Sequence, residues 1–417
     1  MNKPNAVPTP ITDVEDLPLK GIRVLEFSQT VMGPCAGMLL GDMGAEVIKV
    51  EPVPTGDPTR DLRGFMSGIF ATYNRNKRSI AIDCKSPEGK ATIHKLVETS
   101  DVLLENFAPG TMDRLGCGWD ELHAINPRLI YLTLKGFLSG PYENRAALDE
   151  VVQFMGGLAY MTGPVGRPLR AGAPVTDVTG ALFGVYAVTA ALFERQRTGR
   201  GKLIRSALFE SVTFMMGAFM AGNAREGREM PPMPNREHSW PVYDTFETQD
   251  GKIVFVSVTS EKAWARFVGA FELPELTLGK DPRISNLSDL TLNRDWMLPL
   301  VAARMLTLTR DEIARRCEAI ACGWANVSRP SDLTDDPHLN AGHMLDVNFQ
   351  PHRGAKEPES VRQTRIPGIP LELDRRAIGL RQQPPLYGEH TDAVLRDLLG
   401  ADKLAELKAK GVVKGRE

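Results

Sequence analysis

Between Gly21 and Phe137 short apolar runs rich in β-branched residues alternate with helical segments, and this alternation restricts the chain more than any other feature. GIRVLEF, EVIKVE, RSIAIDCK, DVLLENF and RLIYLTLKGF have strand length and strand composition. The stretches between them are helical in pattern. GPCAGMLLGDMGA places glycines at 33, 37, 41 and 44, close to one helical turn apart, and these are expected to let a helix lie tightly on a sheet. Ser86-Pro87-Glu88 offers an N-cap and a proline at the first helical position. Strands separated by helices join as parallel crossovers, so the prediction is a doubly wound α/β lobe.

From Asp149 the texture changes to long apolar helical segments: DEVVQFMGGLAYM, DVTGALFGVYAVTAALFERQRTG and SALFESVTFMMGAFMAG. The uncharged run Val178 to Phe193 has 16 residues between Asp177 and Glu194, short of the ~20 a spanning helix needs, and is expected to be a buried helix. GKIVFVSV restarts β structure and predicts a smaller α/β domain. The domain boundaries expected are 1–18 for a Pro-rich arm, 19–222 for the large domain, 223–330 for the small one, and 331–417 for a linker and a C-terminal segment that completes the large domain. Residues 346–385, rich in Pro, Arg and Gln, form a surface excursion or an intersubunit arm on this reading.

Fifty Lys and Arg balance 52 Asp and Glu, for a net charge of −2, which excludes a generally basic nucleic-acid binder. Five cysteines without CxxC spacing argue against a disulfide framework and a zinc site, and fit a cytoplasmic chain. The polar N-terminus carries no signal-peptide core. No membrane partner and no metal are therefore expected.

Three sets of residues invite chemistry. The turn SQTVMGPCAG after the first strand resembles a dinucleotide-binding turn poorly, because Pro34 removes a backbone donor, although Glu51 stands where a ribose-binding acid would. Lys85, Asn106 and Arg114 follow strand ends, where open α/β sheets hold ligands, and the two cations suit phosphates or are simply solvated. Asp177 directly precedes the most apolar helix, as an N-cap or as a functional carboxylate approached through clustered glycines; a cap position would keep it ionised at neutral pH. His238, beside Arg236 and Trp240, is a loop histidine with no recognisable catalytic pairing.

Taken together, PLKGIRVLEFSQTVMGPCAGMLLGDMGAEVIKVEPVPTGDPTR, NRNKRSIAIDCKSPEGK, the segment from DVLLENFAPG to TLKGF, ALDEVVQFMGGLAYMTG, ERQRTGRGK and PPLYGEHTDAVLRDLLG resemble the class III CoA-transferase family, which includes formyl-CoA transferase, carnitine CoA-transferase and α-methylacyl-CoA racemase. The likeness runs in order along most of the chain and is weakest between about 225 and 365. It implies an interlocked homodimer of ring-like subunits, each with a Rossmann-like large domain and a small domain. It implies coenzyme A or an acyl-CoA as substrate, with no tightly bound cofactor.

By position, Asp177 matches the family's catalytic aspartate. Lys85, Asn106 and Arg114 match CoA contacts, and Ile82 and Cys84 match residues near the adenine. Val31 and Pro52 replace a glutamine and an arginine of formyl-CoA transferase, and MPPMPNREHSWP replaces its glycine-rich loop. The racemase branch places a His-Asp pair where this chain has Leu148-Asp149, so a transferase is favoured over a racemase or epimerase. The implied activity is transfer of CoA between carboxylic acids, a transfer of sulfur-containing groups (EC 2.8.3.-), through an aspartyl anhydride and aspartyl-CoA. Arg236 and His238 are read as partners for a second carboxylate of a short dicarboxylate such as succinate, malate, mesaconate or itaconate. A nucleotide-dependent oxidoreductase and a non-catalytic CoA-binding protein are the competing classes.

Overall fold

A computed structural model describes residues 9–238, 240–349 and 363–416. Residues 1–8 of the expected N-terminal arm, Ser239 of the loop holding His238, and 350–362 of the expected surface excursion lie outside the described residues. The chain divides into two compact units: residues up to Pro234 together with those from Thr334 onward, and Asn235–Leu333 between them in sequence.

The first unit is built on a seven-stranded sheet. Six strands are parallel: β1 (Arg23–Phe27), β2 (Glu46–Glu51), β3 (Lys77–Ile82), β4 (Val102–Glu105), β5 (Ile130–Lys135) and β6 (Leu203–Ala207). They lie in the order 3-2-1-4-5-6, and the two-residue strand Val413–Lys414 adds antiparallel to the outer edge of β3. Chain order reverses between β1 and β4; β1 pairs β2 on one side and β4 on the other, with Val24 opposite both Val47 and Val102. Alternate residues feed opposite cores: Val24 and Val47 pack on one face, Leu25 and Ile48 on the other. Five strands sit where the alternating pattern predicts them. β6 and the C-terminal edge strand have no such signal, because LIRSA and VK are too short and too polar to stand out.

Five helices position the site: α1 (Met32–Asp42), α2 (Pro87–Glu98), α3 (Asp149–Met155), α4 (Val175–Thr198) and α5 (Leu208–Glu226). α2 begins as expected, with the Ser86 side chain accepting the Gly89 amide and Pro87 in the first turn. α1 is buried on nearly all sides. A Cβ at Gly37 would lie 1.8 Å from the Glu26 carboxylate, and one at Gly41 3.1 Å from the Asn76 carbonyl, so these glycines do allow close helix-to-sheet approach. Gly44 serves differently: it leaves the helix at φ +106, a conformation only glycine adopts readily.

α4 is longer than its uncharged run, with 24 residues ending at Gly199, whose left-handed φ of 69° terminates it. By length and composition it is long and apolar enough to cross a membrane. It is not the wholly buried helix expected. Gly180, Ala181, Gly184 and Val188 are buried, whereas Leu182, Phe183, Tyr186 and Phe193 are exposed, as are Phe214 and Met220 of α5.

The second unit carries a three-stranded antiparallel sheet, β7 (Val242–Glu247), β8 (Ile253–Val258) and β9 (Gly323–Asn326), covered by the helices Glu261–Ala270, Arg294–Met305 and Arg310–Ala319 around the fully buried Trp264, Phe267 and Phe271. Its bounds, Asn235–Leu333, differ from the 223–330 expected for the small domain.

Candidate active site

In an open α/β sheet the crevice lies beyond the carboxyl ends of the strands where chain order reverses. Here that place is between the turns following β1 and β4. Asn106, just after β4, clamps the first turn: its Oδ1 accepts the Gln29 amide at 3.0 Å and its Nδ2 donates to the Gln29 carbonyl at 2.7 Å. Two fully buried lysines hold this turn and the first turn of α1 that follows it. Lys49 donates to the Ser28 carbonyl at 2.7 Å, Lys77 to the Pro34 carbonyl at 2.8 Å, and both pair with the buried Glu26 carboxylate. Within the turn Thr30 has φ +70, an outlier for a β-branched residue. So constrained, the turn brings the Met32 amide, the first of α1, to the Asp177 carboxylate.

Asp177 is not the cap of its helix. It is the third residue of α4, whose N-cap position is held by Pro174 without a side-chain bond. The capping carboxylate comes instead from Asp149 at the start of α3: its Oδ1 accepts the amides of Thr176 at 2.9 Å and Asp177 at 3.2 Å, and the Thr176 hydroxyl as well. Its other oxygen accepts the Gln153 amide, and Gln153 Oε1 in turn accepts the Ala171 amide at 2.8 Å. Asp149 thus neutralises the helix end that would have stabilised Asp177.

The consequence reverses the expectation of a carboxylate kept ionised at neutral pH. Burial, and then the negative charge of Asp149, push the Asp177 carboxyl up to about 7, with the Met32 amide pulling the other way. Nothing in the local sequence of Asp177 reveals this, because Asp149 is 28 residues away.

Asp177 borders two cavities. One, about 300 Å³, runs past Asn106, Lys135 and Arg145; Lys135 is tied to Glu105 at 2.7 Å and to the Phe107 carbonyl at 2.6 Å. The other, about 540 Å³, is walled by Val31, Phe65, Met66, Ile69 and Tyr73, with Arg170 at its rim. Leu148 lines both cavities, in the place of a possible second base.

The other expected residues lie as follows. Lys85 and Arg114 are exposed at the same carboxyl edge, Arg114 donating to the Thr111 hydroxyl at 2.8 Å. Ile82 is fully buried in the core, so its side chain serves packing, and Cys84 beside it is half-buried with its thiol pushed up to about 12 by burial. Arg236 and His238 belong to the second unit. There Arg236 donates to the Tyr243 carbonyl at 3.2 Å and lies over the Tyr243 ring. Burial, with Arg294 and Arg236 nearby, lowers the His238 imidazole below its ordinary 6.5. Among the described residues no cluster of three or more His, Cys, Asp or Glu could hold a metal ion.

Comparison with known proteins decides the family. CoA-transferase family III matches residues 19–391. The chain belongs to that family. Like the other family III CoA-transferases, it uses a CoA thioester as substrate. It is 34% identical to the succinyl-CoA--L-malate CoA-transferase beta subunit of Chloroflexus aurantiacus, over 95% of this chain and 98% of that one. It is 30% identical to the succinyl-CoA:glutarate CoA-transferase of Homo sapiens, over 98% and 93%. A CAIB/BAIF family protein from Brucella suis shares the fold, with TM-score 0.80 and 29% identity over 92% of this chain and 99% of that one.

Proposed function

We propose that this transferase moves CoA between short dicarboxylic acids, with Asp177 as the covalent carrier. The single observation that carries the reading is the Asp177 carboxylate standing where two cavities meet, at the amino end of α1. The succinyl-CoA-dependent activities named for relatives on malate, citramalate and glutarate support the substrate class.

In this scheme an Asp177 oxygen attacks the thioester carbonyl of the donor, forming a mixed anhydride and releasing CoA thiolate. The thiolate then attacks the Asp177 carbonyl carbon, leaving an aspartyl-CoA thioester and freeing the donor acid as its carboxylate. An acceptor carboxylate repeats the sequence in reverse and departs as the new thioester, with Asp177 restored as a carboxylate. No net proton is consumed. Every intermediate keeps an activated acyl bond, which a serine ester would dissipate.

Each tetrahedral oxyanion needs donors, and the α1 amides supplied by the Ser28–Val31 turn fit that role. A carboxyl pushed up to about 7 is a more basic, more nucleophilic anion than an ordinary aspartate once ionised. On this reading CoA approaches along the cavity of Asn106, Lys135 and Arg145, with Lys85 and Arg114 toward its phosphates. Asn106 works as the clamp of the turn as much as a ligand contact. A racemase needs a second base near Asp177, and Leu148 offers none.

Incubation with succinyl-CoA and hydroxylamine is expected to convert Asp177 into a hydroxamate visible by mass spectrometry. Asp177→Ala is expected to lose the label together with transfer by at least about 10⁴-fold, the scale on which a covalent nucleophile contributes. If Asp177→Ala keeps full transfer activity, the reading is wrong.

A further inference from the structure

The larger cavity beside Asp177 is mostly apolar, and its charged lining is unbalanced. Asp149, Glu150 and Asp177 contribute three carboxylates, against which Arg170 is the one cation among the described residues that line it. Asp149 is fully engaged by the Thr176 and Asp177 amides, the Thr176 hydroxyl and Gln153. Arg170 is not. Its Nε donates to the Ala171 carbonyl at 2.9 Å, its Nη1 pairs with Glu150, and its Nη2 has no partner among the described residues. The side chain is 31% exposed and the Glu150 side chain 53%, so the guanidinium is steadied by the Ala171 carbonyl while its counter-charge sits on a more solvated carboxylate.

A dicarboxylate whose reacting end lies at Asp177 must place its far carboxylate in this apolar space. An unpaired anion there would be disfavoured by desolvation and by the three resident carboxylates. A guanidinium fork with one edge free and another lent to an exchangeable partner answers that need, because it can receive a carboxylate through two parallel bonds. We propose that Arg170 is the specificity-determining residue of this transferase. It receives the distal carboxylate of the acyl group by displacing Glu150, which occupies the place in the empty enzyme. This rests on the dicarboxylate reading above and adds the residue that enforces it.

The test is the first half-reaction alone, which needs no acceptor. Full-length enzyme is mixed with succinyl-CoA or with butyryl-CoA, the analogue with a methyl group in place of the distal carboxylate, and the rate of hydroxylamine-trapped labelling at Asp177 is followed. The wild type is expected to favour succinyl-CoA. Arg170→Gln is expected to lower the succinyl-to-butyryl rate ratio by roughly 100-fold, the size expected when one partner of a desolvated charge pair is removed, and Arg170→Lys to restore part of it. Glu150→Gln removes the competing carboxylate and is expected to raise the ratio several-fold, which provides a second readout if Arg170→Gln does not fold. An unchanged ratio in Arg170→Gln, or in Glu150→Gln, overturns the assignment while the dicarboxylate reading stands. Equal labelling of the wild type by both donors overturns the dicarboxylate reading itself.

Discussion

Asp177 holds its proton to an unusually high pH, and the direction of that shift has two measurable results. As a nucleophile it must be ionised, so the rate of Asp177 labelling by succinyl-CoA is expected to rise with pH through about 7 and level off above it. Asp149→Asn removes the neighbouring charge and should move that limb to lower pH, a displacement that a purely structural role for Asp149 would not produce. For stability the sign is opposite to that of a salt-bridged aspartate. The folded value of about 7 lies above the 3.8 of the unfolded chain, so between those values the native state holds a proton that the unfolded state has lost. Ionising Asp177 therefore costs stability as pH rises through that window. Asp177→Asn is expected to melt above the wild type at pH 8 and together with it near pH 4; coincident melting curves at both values would contradict the shift. At this scale the sequence pointed to the aspartate but not to its chemistry. The residues that set its proton affinity, Asp149 and the Met32 amide, are brought to it by folding alone, and no residue type announces the left-handed backbone at Thr30.

α1 shows how an element can be read correctly in outline and incompletely in function. The glycines at 33, 37 and 41 announced a close helix-to-sheet contact, and Gly37 and Gly41 make it. What presses on Gly37 is a buried carboxylate rather than an apolar side chain. Glu26, Lys49, Lys77 and Asp57 form an ion cluster under the helix, with Lys49 to Asp57 at 2.9 Å and Lys77 to Glu26 at 2.8 Å. Alternating patterns encode faces, not partners across three strands, so GIRVLEF, EVIKVE and NKRSI gave no hint that their charged members meet. Gly37→Ala is expected to destabilise the fold by about 2–4 kcal/mol, since the added methyl must shift the helix or split a buried ion pair. Chemical denaturation measures this directly. The same change should slow transfer beyond what the lost stability explains, because Lys77 also holds the Pro34 carbonyl in the first turn of α1, two residues from the Met32 amide.

On the scale of the molecule, the exposed aromatic and aliphatic side chains of α4 and α5 are a surface out of character for a lone protomer. Phe193 is 73% exposed and Phe214 72%. The homodimer implied by the family resemblance predicts that a second copy of the chain covers this face. Light scattering is expected to give twice the 45.9 kDa of one chain, and Phe214→Glu to shift the population toward single chains. A wild type that runs at 45.9 kDa at micromolar concentration would remove the proposal.

The sheet of the first unit is finished from the far end of the chain. Val413–Lys414 pairs with β3, the Gln382 carbonyl accepts the Asn76 amide at 3.0 Å, and the Thr391 hydroxyl accepts the Ala81 amide at 3.0 Å. A chain emerging from the ribosome therefore exposes the outer edge of β3 for more than three hundred residues of synthesis. Meanwhile Asn235–Leu333, whose strands and helices are contiguous, can close early. Translation that stops short of Val413 leaves an open sheet edge on an otherwise folded body, and such an edge is what quality control and aggregation both recognise. Two residues, Val413 and Lys414, thus decide whether that edge is left open or closed.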